Sequence, residues 1–279
     1  MKSKGIVTAL VALTASSPRL RQKVWQWIYN KIARRDASGK FIFMNYGYHD
    51  EQVDSPLSLQ PQDEPFRYFA QLYNHVVQDI DLHDKDVLEV GCGRGGGGSF
   101  LVRYKNPRSY IGIDLSDRAI AWCASHYPFP NACWKQGLAD ALPIPDSSVD
   151  IVVNVESSHC YPNMDAFLSE AARTLRPNGY LALCDIRLTS AIEKLDTALT
   201  SSGLRLLKRR EITSQVLHAL DHVSQVRDAQ ITSVFPALFR KAVRDFAAVK
   251  DSTIYNMLKS GEMKYISYLL QKRDSLHEH

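Results

Sequence analysis

Several things are scarce in this 279-residue chain, and each scarcity excludes something. The five cysteines, Cys92, Cys123, Cys133, Cys160 and Cys184, are odd in number and form no CxxC pair. Neither a disulfide framework nor a metal site is therefore expected, and a reducing, cytoplasmic location is. No apolar run reaches the roughly 20 residues that span a bilayer. The longest near the start, Gly5 to Ala15, follows a basic beginning and precedes small residues, a pattern shared with short signal peptides. It is read here as an N-terminal apolar helix that packs on the protein or joins two copies in a homo-oligomer, without stable membrane insertion. A basic stripe is also missing. Net charge is only +4, and the one tight cluster, Lys208, Arg209 and Arg210, reads as a solvated face, so no nucleic-acid partner is expected. The C-terminal pair His277 and His279 around Glu278 reads as a frayed tail.

What is present fits an α/β protein. With 45% hydrophobic and 23% charged residues the chain can bury one sizeable core with an attached lid. Val24, Trp27, Ile28 and Ile32 stand at helical spacing within residues 18 to 33, and Trp25 and Tyr29 join Trp27 as packing residues. A loop rich in Asn and Tyr follows from Phe43 to Gln52. Asp63, Glu64 and Pro65 then open a helix through Ile80, since acids and proline suit a first turn. From Asp86 short apolar runs alternate with helical stretches: DVLEVGC, SYIGIDLS, ACWKQG, VDIVVNVES and YLALCDI as strands, with RPNG as a turn before the last. SSGLRLLKRREI and MKYISYLLQKR supply two more strands, with helices between them from residue 213 to about 258. The expectation is a doubly wound, mostly parallel seven-stranded sheet of the Rossmann-like kind, with N-terminal helices and a helical lid between the last two strands. Residues 1–80 form the N-terminal helices and cap, 81–212 the ligand-binding core, and 213–279 the lid and last strand.

One stretch, VLEVGCGRGGGGSFL from Val87 to Leu101, places four consecutive glycines where the first strand gives way to a helix. Ligands of open parallel sheets bind at that edge. Two readings compete: Gly91, Gly93 and Gly96 satisfy the GxGxxG dinucleotide fingerprint, while Glu89, Gly91, Gly93 and Gly95 satisfy the ExGxGxG loop of S-adenosylmethionine-dependent methyltransferases. Glu89 favours the second, because a carboxylate there repels a pyrophosphate and accommodates a cationic amino-acid and sulfonium group. Asp114, closing the second strand, suits both ribose hydroxyls under either reading. LRPNGYLALCD after DIVVNVES also points to a methyltransferase. Gly91, Gly93 and Gly95 bring bare backbone to the donor. Gly96 to Gly98 allow close approach to the ligand or a neighbouring strand, so Gly97→Ala and Gly98→Ala are expected to be milder than Gly93→Ala.

FMNYGYHDE (Phe43 to Glu51), DEPFR (Asp63 to Arg67), YIGIDLS, NVESSHCYP (Asn154 to Pro162), LRPNGY and GEMKYISY join the glycine loop in a broader resemblance. The chain resembles class I small-molecule methyltransferases, and among them the phthiotriol/phenolphthiotriol dimycocerosates methyltransferase family. The resemblance implies S-adenosylmethionine as cofactor and O-methylation of a bulky lipophilic molecule of secondary metabolism, such as a polyketide, lipid alcohol or terpenoid. Carbon or nitrogen methylation of a terpenoid or alkaloid is the alternative. A nucleic-acid methyltransferase is disfavoured because Asn154-Val155-Glu156-Ser157 lacks the [DN]PP[YF] loop, and an NAD(P)-dependent oxidoreductase ranks lower still.

The resemblance folds Tyr46 and Tyr48 over the donor's methionine end, where they can cover the sulfonium by cation–π attraction. Leu115 and Asn154 complete the expected donor contacts. Relatives carry GDA before LP, with the aspartate near the adenine amino group; this chain has Gly137-Leu138-Ala139-Asp140-Ala141-Leu142-Pro143. The adenine contact then falls to Leu138 and Ala139 backbone or to a shifted Asp140. His159 is the candidate base, because histidine titrates near neutral pH, and Glu156 orients it or touches the donor; a purely structural His159 is the alternative. The late aromatics Phe235, Phe239, Tyr255, Tyr265 and Tyr268 divide between core and an apolar acceptor pocket.

Overall fold

Strand and helix alternate as the apolar pattern requires in the computed structural model, which describes residues 41–52 and 57–274. The helix expected over residues 18 to 33, the apolar N-terminal run with its assembly role, and the histidine tail lie outside the described residues. Helix α1 (Arg67–Val77) leads into β1 (Asp86–Val90), α2 (Gly96–Lys105), β2 (Ser109–Asp114), α3 (Asp117–His126), β3 (Ala132–Gln136) and β4 (Val149–Val155). Then come α4 (Met164–Thr174), β5 (Leu175–Leu188), α5 (Ile192–Thr200) and β6 (Leu204–Glu211). The lid helices α6 (Thr213–Val234), α7 (Ala237–Phe246) and α8 (Thr253–Ser260) precede β7 (Met263–Lys272).

The seven strands form one sheet in the order β3-β2-β1-β4-β5-β7-β6. β7 runs antiparallel between β5 and β6, and the remaining pairs are parallel. Each strand feeds two cores because successive side chains point to opposite faces. Ile151, Val153 and Val155 of β4, with Ala182 and Cys184 of β5, pack toward α1, α2 and the lid. Val149 and Val152, with Leu181 and Leu183, pack toward α4 and α5. Strand order reverses between β1 and β4, so their C-terminal ends open a crevice there.

Two local expectations are corrected. RPNG is not a free turn: β5 already starts at Leu175, and the turn residues survive as an irregularity in its pairing with β4, with Asn178 left-handed at φ +64°. Helix α5 was unforeseen, although Ile192, Leu195 and Leu199 mark its buried stripe. The basic cluster is an exposed, ion-paired face: Lys208 and Arg210 reach Asp79, and Arg209 reaches Asp196. Among the described residues no helix is long and apolar enough to cross a membrane.

Candidate functional site

The glycine run is shaped by a carboxylate behind it. Glu89, fully buried on β1, accepts hydrogen bonds from Tyr73 Oη of α1 (2.7 Å) and Tyr110 Oη of β2 (2.5 Å). Burial raises its pKa to about 7, and the two phenols restrain that rise by stabilising the charged form. The phenols reach it by crossing under the first turn of α2. A Cβ on Gly97 would lie 1.9 Å from the Tyr73 ring, and one on Gly98 2.2 Å from Tyr110 Oη. Gly97 and Gly98 are thus required by close packing, which corrects the expectation that they are the tolerant end of the run. At Gly93 the reverse holds: its backbone is left-handed at φ +53°, yet the nearest atom to an added Cβ is Met44 Cγ at 4.0 Å.

In front of the loop lies a cavity at the C-terminal edge of β1, β2 and β4. Gly91, Gly93, Asp114, Leu115, Leu138 and Ala139 line it, as does Glu156. Asp114 anchors the loop by accepting from the backbone N–H of Gly93 (2.9 Å) and of Ser116 (2.8 Å). Asp140 stands in the wall beside Leu138 and Ala139. Five other expected donor contacts stand outside the wall. Glu89 has both oxygens engaged behind the loop, and an added Cβ on Gly95 would face Cys123, Tyr127 and Trp134 instead. Asn154 is buried behind, donating to Val90 O and Tyr161 Oη, both at 2.8 Å. Tyr48 stacks on His75 with ring centroids 4.4 Å apart, and its hydroxyl donates to Asp50. Tyr46 lines a second, apolar cavity with Phe235, Val243 and Phe246 of the lid, and its hydroxyl donates to Phe246 O. Phe43 and Met44 line both cavities, so this cap segment is the partition between them.

Beyond β4 the chain turns sharply at Glu156, whose φ of +47° is unusual for a residue with a side chain. Glu156 Oε1 accepts from Tyr46 N (2.6 Å) and from the Tyr265 hydroxyl of β7. Among the described residues Oε2 has no hydrogen-bond donor, which leaves it to the cavity that Glu156 lines. Burial raises this carboxyl to about 7, against the lowering effects of Tyr265, the Tyr46 N–H and the His159 charge. His159 stands outside the cavity wall. Its Nδ1 lies 2.7 Å from Asp185 Oδ1, and its backbone N–H donates to Asp185 Oδ2 at 2.8 Å. Burial alone would lower the imidazole pKa, but the neighbouring Cys160 side chain and the Asp185 carboxylate raise it well above the ordinary value. Asp185 is buried yet held below the usual carboxylate range by Arg187, 2.8 Å away, and by His159.

Sequence reasoning missed Asp185, Arg187, Asn45, Cys160 and Tyr161, although Asp185 directly follows Cys184, the last β5 residue paired with β4. It also missed Arg94, which lines the cavity with its guanidinium 3.9 Å from the Trp122 ring centroid. Asn45 is buried at the cap, where its amide donates to Phe69 O and its Oδ1 accepts from Gly47 N.

Comparison with known proteins bears on this arrangement. A methyltransferase domain family matches residues 88–183. A phthiotriol/phenolphthiotriol dimycocerosates methyltransferase of Mycobacterium tuberculosis is 36% identical over 258 residues, covering 92% of this chain and 95% of its own. A fatty-acid O-methyltransferase of Mycolicibacterium smegmatis is 35% identical over 254 residues, covering 91% and 92%. Among solved structures, the cyclopropane synthase MmaA2 of M. tuberculosis superposes with a TM-score of 0.68 at 15% identity, covering 86% of this chain and 96% of its own, a likeness of fold.

Proposed function

The chain belongs to the phthiotriol/phenolphthiotriol dimycocerosates methyltransferase family, and from that premise we propose that it methylates a hydroxyl oxygen of a bulky lipophilic molecule, with Glu156 as the base. It is an S-adenosylmethionine-dependent methyltransferase. The described cavity fits that donor: Gly91 and Gly93 offer bare backbone, Asp114 a carboxylate for the ribose, and Leu138, Ala139 and Asp140 a wall for the adenine. Bound there, S-adenosylmethionine supplies a methyl carbon made electrophilic by sulfonium.

The chain's own part is to align an oxygen and take its proton. The observation that carries the proposal is Glu156, a buried carboxyl near neutral pKa with one oxygen saturated and the other left to the cavity. His159 is held as a cation by Asp185, so it serves to orient and balance charge. A carboxylate in the wall also repels an anionic acceptor, which favours an alcohol over a fatty acid. A lipophilic acceptor is supported by the family; the cavity beyond Phe43 and Met44 is mainly apolar but also lined by Arg227, and is too small to hold such a molecule whole.

Incubation with methyl-labelled donor and a panel of long-chain alcohols, phenols and fatty acids tests this, the label being located in each product. Label on alcohol oxygen is expected. Label on carbon or nitrogen would sink O-methylation, and preference for the acids would sink the hydroxyl assignment.

A further inference from the structure

We propose that Tyr265, on the last strand, is a positioning residue for the base: together with the Tyr46 N–H its hydroxyl saturates Oε1 of Glu156 and so turns Oε2 toward the acceptor. This rests on the assignment of Glu156 as base made above.

A carboxylate has two equivalent oxygens, and its terminal torsion is soft and roughly two-fold. Two donors converging on one oxygen remove that equivalence. Tyr265 is suited to the task because it cannot wander. It is fully buried, pairs with Ile186 across the β5–β7 ladder, donates its N–H to Thr213 Oγ1 (3.0 Å) and accepts from Ile212 N (2.8 Å). Its ring centroid lies 6.4 Å from that of Tyr46. The hydroxyl also favours the charged form of Glu156 against burial, which keeps the proton affinity near neutrality instead of far above it. The other titratable and charged groups around Glu156 are Tyr46, Tyr73, His159, Cys184, Asp185 and Arg227. Tyr265→Phe leaves all six in place and removes one oxygen atom, so a change in Glu156 reports the phenol.

The test is a pH titration by 13C NMR of full-length protein labelled at glutamate carboxyls. Among the described residues burial raises two glutamates to about 7, Glu156 and Glu89, and Glu156→Gln identifies which resonance is which. In Tyr265→Phe the Glu156 resonance is expected to titrate about one pH unit higher, a tenfold tighter proton, while Glu89 stays as the internal control. A fluorinated, more acidic tyrosine at position 265 should move it lower. A Glu156 titration unmoved in both variants overturns the role of Tyr265 and leaves the base assignment standing. Methyl transfer that survives Glu156→Gln overturns the base assignment, and the catalytic meaning of Tyr265 with it.

Discussion

Glu89 and Glu156 are nearly the same object placed in two settings. Each is a buried carboxylate near the C-terminal end of a central parallel strand, each is held by a tyrosine hydroxyl, and each is raised by burial to about 7. They differ in what remains unspent. Glu89 gives one oxygen to each of two phenols behind the glycine loop, whereas Glu156 receives both its donors on one oxygen and lines the cavity with the other. A perturbed carboxyl by itself therefore says little about chemistry, and its free lone pairs and the space before them say more.

Sharp tests of that contrast begin with Glu156→Gln. It should lower methyl transfer on the order of 100-fold or more, as loss of a general base does, while S-adenosylhomocysteine affinity by calorimetry stays within a fewfold. The parent activity should rise with pH through about 7, because the base acts ionised; a flat profile would place the proton elsewhere. Next is the loop that Glu89 supports. Gly97→Ala forces a methyl into the Tyr73 ring and should cost roughly 1–3 kcal/mol of stability, read by chemical denaturation. Gly93→Ala has room around its Cβ, so its stability cost is confined to the left-handed backbone, about 1 kcal/mol, and it should also weaken donor binding. Equal stability losses at the two positions would contradict the packing account.

Glu89→Gln should have a smaller effect, visible in how stability depends on pH. The raised pKa of Glu89 means that its stabilising contribution is complete below about 4.5, the unfolded value, and is lost as pH rises through about 7. The variant should therefore show a narrower difference in Tm between pH 6 and pH 8 than the parent. Smallest of all, His159→Gln should reduce turnover severalfold without moving the pH profile near 7. A loss as deep as that of Glu156→Gln would return the base to His159.

How much of this was legible beforehand follows from distance along the chain. The strands, the glycine loop and the Asp114 position are written in local periodicity and spacing, and the sheet confirms them. Glu89 was noticed for its charge, but its true partners, Tyr73 and Tyr110, come from a helix and a neighbouring strand where nothing marks them as more than apolar residues. Tyr265 stood among late aromatics that could equally be core, and only its register opposite Ile186 singles it out. His159 and Glu156 share one motif, and spacing alone could not say which of them faces the cavity.

The bonds to Glu156 also carry a consequence for the order in which the protein comes together. The glycine loop is tied by links of short reach, 16 residues from Tyr73 to Glu89 and 21 from Glu89 to Tyr110. Glu156 is tied to Tyr46 across 110 residues and to Tyr265 across 109. Contacts of such separation form late, because the chain between them must first be ordered. A nascent chain that has not yet released its last strand can already shape the glycine loop, but it lacks the Tyr265 hydroxyl on Glu156. The setting of the base is thereby completed by the last strand.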